Sequence, residues 1–195
     1  MDLDIIHEDD AFIIINKPHG IATHPSLLHY DNTLSNSVKY YFEQINLKKK
    51  IRPINRLDKN TSGLIIFAKN EYVQECLVRQ MQTKEFQKEY IALLDGILEQ
   101  KQGTINAPIA RKENSIMERC ISPNGENAIT HYLVLKEYGD YSEVQFLLET
   151  GRTHQIRGYF SHIGQPIAND KKYGKPHSKL DSIYQGYYLT AYKIK

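Results

Sequence analysis

The chain has 195 residues, of which 41% are hydrophobic and 25% charged, and its formal net charge is +2. This composition is typical of a folded globular protein, and no apolar run is long enough to span a bilayer. The opening "MDLDIIHEDD" is acidic where a secretory signal is basic, which predicts a cytoplasmic protein. Cys76 and Cys120 form no CxxC motif and are predicted to be reduced thiols.

The first half of the chain predicts two apolar strands and two amphipathic helices. The run "AFIIINKP" is rich in β-branched residues and ends at a proline, so we expect a buried strand. In "DNTLSNSVKYYFEQI" the apolar residues recur at helical spacing after Thr33, the predicted N-cap. Further on, "GLIIFAK" predicts a second strand, and Asn70 is the predicted cap of a helix with Val73, Leu77 and Met81 on one face.

A basic segment, "LKKKIRPINRLDK", lies between the first helix and the second strand. Such a strip of lysine and arginine fits contact with a polyanion such as RNA. A solvated surface loop is the alternative interpretation. The net charge of the whole chain decides neither, because it is close to zero.

The second half of the chain is richer in strands. "KEYIALLDG" predicts a strand, and the polar segment 99–127 predicts loops and short hairpins. "AITHYLVLKEY" and "SEVQFLLET" flank a turn and predict an antiparallel pair. "THQIRGYFSHIG" predicts a short helix capped by Thr153 and stopped by Gly164, and "GYYLTAYKIK" predicts a last strand. Strands outnumber helices without strict alternation, which favours an α+β fold with a largely antiparallel sheet.

Several classes of site have no motif here. There is no HExxH and no cysteine–histidine cluster, so no metal site is predicted. The glycine-rich patterns of dinucleotide-binding folds and P-loops do not occur, and neither does the GxSxG hydrolase elbow. No cofactor is therefore predicted from the residues.

A small set of polar residues at the ends of elements remains. Asp58 precedes the second strand, Tyr90 opens another strand, and Arg157 lies beside the apolar face of the short helix. A carboxylate in a partly buried cleft stays ionised when an arginine supports it, so these residues outline an anionic site. The same residues are also consistent with a surface ion pair between Arg56 and Asp58, a half-buried strand tyrosine and an arginine that caps loop carbonyls, and the residues alone favour this second interpretation.

Four ordered blocks of the sequence resemble the RluA-type pseudouridine synthases. They are "IIINKPHGIATHP", "INRLDKNTSGLIIFAK", "KEYIALLDG" and "LETGRTHQIRGYFSHIGQPIANDKKYG", and the resemblance covers about residues 5–192. It implies the pseudouridine synthase fold, an α+β fold whose mixed, mostly antiparallel central sheet is flanked by helices, with the active-site cleft across the sheet. It further implies one catalytic domain over residues 1–195, without an S4 domain and lacking the C-terminal end of the family's domain.

The resemblance also implies a role for each matching residue. Asp58 stands at the catalytic aspartate, and Arg56 at the arginine that fills the space of the flipped nucleotide. Tyr90 matches the tyrosine that packs against the uracil and assists proton removal at C5, and Arg157 matches the basic residue that pairs with the aspartate. The supporting candidates are Asn55, Thr61, Arg152 and His154.

The chain departs from the family pattern at a few positions. Asn55 replaces the usual histidine, and Asn169 replaces the glycine of a "GD" turn. Gly158 and Tyr159 replace a small apolar residue and a histidine. The aspartate, tyrosine and arginine positions keep their residues.

The function implied by the resemblance is isomerisation of uridine to pseudouridine in ribosomal or transfer RNA, without cofactor or metal. No pattern in the sequence indicates an oligomer, so we expect a monomer. Asp58 either attacks C1′ to form a covalent intermediate or removes the proton from C2′ to give a glycal. The alternative is a non-catalytic RNA-binding or RNA-folding protein on the same scaffold. A hydrolase using Asp58 as base is a third interpretation, for which the sequence offers no second catalytic carboxylate.

Overall fold

The computed structural model describes residues 2–26, 30–83, 85–175, 180 and 186–195. The chain divides into two compact units, Met1–Phe86 with Ile194–Lys195, and Gln87–Lys193. The organisation as one catalytic domain stays a prediction.

The first unit contains a small antiparallel sheet and two helices. Its strands lie in the order β1–β2–β4, and β3 also pairs with β4. Its elements are β1 Ile5–Glu8, β2 Phe12–Lys17, α1 Leu34–Gln44, β3 Arg52–Pro53, β4 Ser62–Ala68 and α2 Glu71–Gln80.

Both helices of the first unit begin where the sequence predicts. The Thr33 side chain accepts a hydrogen bond from the backbone N–H of Asn36, and the backbone N–H of Thr33 donates to Asn36 Oδ1, which completes a capping box. Asn70 accepts from the backbone N–H of Val73 at 2.9 Å and so caps α2. These side chains occupy backbone donors that the first helical turn cannot pair internally.

The buried face of β2 is apolar except at its end. Ile13 and Ile15 are fully buried, as expected for alternate residues of a half-covered strand. The next position on this inward face is Lys17, and its side chain is fully buried as well. A lysine at an inward strand position needs partners for its ammonium group.

The second unit is dominated by antiparallel strands. Five of them lie in the order β11–β5–β10–β9–β6, and β7 pairs with β8 in a separate two-stranded ribbon. Its elements are β5 Lys88–Asp95, β6 Gln102–Asn106, β7 Ile109–Arg111, β8 Arg119–Ile121, β9 Ile129–Tyr138, β10 Tyr141–Leu148, α3 Gln155–His162 and β11 Leu189–Ile194, whose last residue belongs to the first unit. The predicted pairing of β9 with β10 is confirmed.

Helix α3 packs its aromatic face into the core of the second unit. The ring centroids of Phe160 and Phe146 lie 5.0 Å apart in an edge-to-face arrangement. Gly164 follows the helix with a φ of 78°, so the predicted stop is confirmed.

The predicted start of α3 is wrong. Thr153 does not cap the helix, because the N-cap is His154, in the left-handed conformation and without a side-chain capping bond. Instead, Gln155 organises the entry: its Oε1 accepts from the Arg152 N–H and from the Thr150 hydroxyl, both at 2.9 Å.

The prediction of an α+β fold is confirmed. Within each unit the strand pairs named above are antiparallel, and three helices of 8 to 11 residues accompany them in the described part of the chain. None of the described helices is long and apolar enough to cross a membrane.

Candidate functional site

Asp58 lies in a short loop of the first unit, between β3 and β4. Leu57 is buried, Arg56 on one side of it is exposed, and Asp58 on the other is half-buried. The backbone N–H of Thr61 donates to the Asp58 carbonyl at 3.1 Å and closes the turn. The loop therefore presents an arginine and a carboxylate while an apolar side chain anchors it.

Asn55 holds the start of this loop against β4. Its Nδ2 donates to the Leu64 carbonyl at 2.9 Å, and its Oδ1 accepts from the Ile66 N–H at 3.0 Å. The Asn55 side chain thus extends the pairing of β3 with β4 beyond the end of β3. Only a side chain with both a donor and an acceptor can do this, and an amide provides both.

Thr23 holds the middle of the loop. Its hydroxyl donates to the Leu57 carbonyl at 2.9 Å, and the Thr23 carbonyl accepts from the Ser35 hydroxyl at 2.7 Å. Since Ser35 lies in the first turn of α1, the loop that carries Asp58 is tied to the helix through one buried threonine.

Lys17 holds the end of the loop. Its Nζ donates to the carbonyls of Pro18, Ile21 and Lys59, at 2.8, 2.9 and 3.0 Å, so all three ammonium protons have acceptors. Burial lowers the pKa of Lys17 to about 8, and the nearby carboxylate of Asp58 opposes that shift. Lys17 is not among the site residues predicted from the sequence, because the run "FIIINK" does not alternate and the inward position of Lys17 is evident only in the folded strand.

The stability of the fold is expected to rise with pH because of Lys17. Its pKa is about 8 in the folded chain against an ordinary 10.5, so between these values the unfolded chain binds more protons than the folded one. The free energy of unfolding therefore increases with pH across this window, by about 3 kcal/mol at about 1.4 kcal/mol per unit. Urea unfolding of the wild type and of Lys17→Met across this range measures the difference.

The control for this experiment is Lys39→Met, since Lys39 is an exposed lysine of α1. The wild type and Lys39→Met should gain stability in parallel, while the gain of Lys17→Met should be smaller by about 3 kcal/mol. Equal pH dependence of all three proteins would contradict a depressed pKa at Lys17.

Tyr90 lies in β5 of the second unit, opposite Phe146 of β10. Its side chain is 8% exposed, so it is more deeply buried than the half-buried strand aromatic of the alternative interpretation. The neighbouring Glu89 points to the other face of the strand, where it accepts hydrogen bonds from Gln145 and Tyr192 and pairs with Lys193. Tyr90 and Glu89 are thereby held on opposite faces of one strand.

Arg157 is held by a carboxylate that sequence analysis missed. Its Nε donates to Asp170 Oδ2 at 2.7 Å and its Nη2 to Asp170 Oδ1 at 3.0 Å, a bidentate pair whose two residues are 6% and 2% exposed. The rings of Tyr173 and Tyr187 lie 4.9 and 4.4 Å from the guanidinium carbon. This arrangement fixes the plane of the guanidinium.

The two supporting candidates around α3 serve as anchors. His154 Nδ1 lies 2.8 Å from the Tyr173 hydroxyl, which also accepts from the backbone N–H of Arg119 at 2.7 Å. Arg152 donates from Nε to the Asn127 carbonyl at 3.0 Å and forms an ion pair with Glu126. Both residues join the turn before α3 to the segment 119–127.

The predicted site residues fall into two groups. Asn55, Arg56, Asp58 and Thr61 share one loop of the first unit. The group in the second unit comprises Tyr90, Arg152, His154 and Arg157. Across the described residues, no three histidine, cysteine, aspartate or glutamate side chains are placed to hold a metal ion.

Comparison with known proteins gives the family. The model of the RNA pseudouridylate synthase family matches residues 11–162, a stretch that contains the Asp58 loop, Tyr90 and Arg157. The chain belongs to this family. The resemblance described from the motifs is confirmed.

Several individual pseudouridylate synthases are similar to the chain. The uncharacterized RNA pseudouridine synthase YlyB of Bacillus subtilis (strain 168) is 40% identical over 93% of this chain and 60% of its own length. Ribosomal large subunit pseudouridine synthase D of Haemophilus ducreyi is 40% identical over 88% of this chain and 53% of its own length. The chain thus spans between half and two thirds of these relatives. Among solved structures, human RNA pseudouridylate synthase domain containing 1 has a TM-score of 0.82 at 26% identity, covering 99% of this chain and 78% of that one.

Three departures from the pseudouridylate synthase pattern have structural explanations, whereas the structure offers none for Gly158. A neutral histidine has one donor and one acceptor nitrogen, and Asn55 supplies the same pair of functions. Asn169 has a φ of 64°, a conformation that asparagine tolerates better than most residues, and its side chain donates to the Gly186 carbonyl at 2.7 Å. The buried Tyr159 brings its hydroxyl within 2.5 Å of the Ala107 and Ala128 carbonyls.

Proposed function

We propose that this chain is an RNA pseudouridine synthase that isomerises uridines in structured RNA, ribosomal or transfer RNA. The observation that carries the proposal is the Asp58 loop: a half-buried carboxylate on a backbone that Asn55, Thr23 and Lys17 hold at its start, middle and end. A reacting carboxylate has to be positioned before substrate arrives, because misplacement by about 1 Å costs about a hundredfold in rate.

The proposed reaction breaks the N-glycosidic bond of one uridine and joins C5 of the same base to C1′. Asp58 acts on the ribose, either by attack at C1′ or by removal of the proton at C2′. In the first route the carboxylate forms an ester that the turned base displaces; in the second it returns the proton to C2′ when the new bond forms. The proton on C5 is lost in both, with Tyr90 beside the uracil.

The base has to leave the helical stack before Asp58 can reach its sugar. Arg56 is the residue proposed to fill the vacated space, since it is exposed beside Asp58 at the tip of a rigid loop. Arg157 is proposed to support the charge of the substrate site. We further propose that the protein is a cytoplasmic monomer. It needs no cofactor, because the isomerisation transfers no electron, phosphate or methyl group.

Release of tritium from [5-³H]uridine-labelled transcripts of ribosomal and transfer RNA tests this function. The wild type is expected to release tritium in proportion to the pseudouridine formed. Arg56→Ala should lose about tenfold or more in rate on folded transcripts and less on an unstructured oligonucleotide, since flipping from a stack costs a few kcal/mol. Binding without tritium release would favour the RNA-binding alternative, and equal losses on both substrates would contradict the flipping role.

A further inference from the structure

A cavity of about 460 Å³ opens in the second unit beside the ribbon formed by β7 and β8. Three arginines and one carboxylate supply the charged part of its lining: Arg111, Arg119, Arg152 and Glu126. We call it the arginine cavity. Its net positive charge and its size suit an anionic group rather than an apolar one.

Two of the arginines face each other across the ribbon. Arg111 and Arg119 are direct partners in the antiparallel register of β7 and β8. Like charges directly opposite one another destabilise an antiparallel pair, and a two-stranded ribbon has little else to offset that cost. An anion bound between the two guanidinium groups would remove the repulsion.

Arg111 and Arg119 both keep guanidinium N–H groups available to a ligand. Arg119 donates from Nη1 to the carbonyls of Met117 and Glu118, at 3.5 and 3.2 Å. Arg111 is exposed and makes no side-chain hydrogen bond or ion pair with any residue that the structure describes. Arg152, in contrast, is paired with Glu126, so the arginine pair of the ribbon carries the unneutralised charge.

The wall of the cavity is built from paired backbone. Ile109 and Glu126 exchange two backbone hydrogen bonds, both of 2.9 Å. A Cβ at Gly125 would lie 2.4 Å from the Ile109 carbonyl carbon, so this close approach requires glycine. The arginines therefore project from a defined surface.

The arginine cavity is connected to Arg157 within the same unit. The backbone N–H of Arg119 donates to the Tyr173 hydroxyl at 2.7 Å, and the Tyr173 ring lies 4.9 Å from the Arg157 guanidinium. Only one side chain thus separates the ribbon from a residue proposed to act at the substrate site.

We propose that the arginine cavity binds phosphate groups of the RNA backbone next to the target uridine. The proposal rests on the proposed function, because it takes RNA as the substrate. Guanidinium groups bind phosphate oxygens bidentately, and two side by side can hold one phosphate or two successive ones. Such contacts position the strand without reading its sequence.

The salt dependence of RNA binding tests the arginine cavity. The probe is a fluorescein-labelled RNA stem-loop with uridines in the loop, titrated from about 50 to about 200 mM KCl. The double variant Arg111→Gln/Arg119→Gln should bind about tenfold more weakly, and its slope of log Kd against log salt should fall by about 1 to 2, as expected for one or two lost phosphate contacts. Arg79→Gln is the matched control, since Arg79 is exposed on α2, and its slope should stay that of the wild type.

The outcomes separate this proposal from the proposed function. A slope for the double variant equal to that of the wild type, or no binding by the wild type, overturns the arginine cavity as a phosphate site. A reduced slope supports it even if the wild type releases no tritium, in which case the proposed activity fails alone. Equal urea midpoints of the variants and the wild type show that the ribbon has stayed folded.

Discussion

Replacing Asp58 by asparagine is expected to lower the rate of pseudouridine formation by more than about a thousandfold. Asparagine has nearly the same size and keeps one carbonyl oxygen, but it can neither attack C1′ nor accept a proton at neutral pH. The loop should survive the change, because its contacts with Asn55, Thr23 and Lys17 run through the backbone and through neighbouring residues. Tritium release and filter binding, measured on the same labelled RNA, separate turnover from affinity.

The matched control is Asp10→Asn, since Asp10 is an exposed aspartate of the same unit. It should leave tritium release within about twofold of the wild type, as a surface substitution does. The affinity of Asp58→Asn for RNA should also stay within about twofold of the wild type. The lost carboxylate is negative and so contributes no attraction to the negatively charged RNA. Turnover by Asp58→Asn at the wild-type rate would remove Asp58 from the chemistry.

The local elements could be predicted from the sequence because their signals are local. Thr33 and Asn70 each precede an amphipathic run, and the capping bond forms within three residues of the cap. The start of α3 does not follow this capping pattern, and the reason is non-local. Gln155 donates to the Ile129 carbonyl and to the Thr130 hydroxyl, so contacts with a strand 25 residues earlier decide how the chain enters the helix.

The supports of the candidate site could not be predicted in the same way. Lys17 lies 42 residues before its acceptor Lys59, and Thr23 lies 34 residues before Leu57. Arg157 and Asp170 are 13 residues apart with a turn between them. Nothing in the spacing of these residues indicates that they meet, whereas the resemblance indicated which polar residues are the candidates for reaction. The motifs thus predict the candidate reacting groups, and the folded chain supplies the groups that hold them.

The pair of Arg157 and Asp170 is the most deeply buried ion pair in the described part of the second unit, so removing its carboxylate should be costly. We expect Asp170→Asn to lower the free energy of unfolding by about 3 to 5 kcal/mol, because a buried guanidinium loses a bidentate bond to a carboxylate. The change also weakens the turn, since Asp170 Oδ1 accepts from the N–H groups of Lys172 and Tyr173, at 3.0 and 3.2 Å. Urea unfolding near neutral pH measures the loss.

A double-mutant cycle separates the loss of the Arg157–Asp170 ion pair from the loss of the hydrogen bonds that Asp170 accepts in the turn. Asp170→Asn combined with Arg157→Gln should destabilise less than the sum of the two single variants, because the second change removes the charge that the first one exposed. Glu137→Gln is the control within the same unit: it breaks the exposed pair of Lys101 and Glu137 and should cost under about 1 kcal/mol. Strict additivity in the cycle would mean that Asp170 stabilises the turn and does not hold Arg157. Coupling of more than about 1 kcal/mol would show that Asp170 holds the Arg157 guanidinium in place.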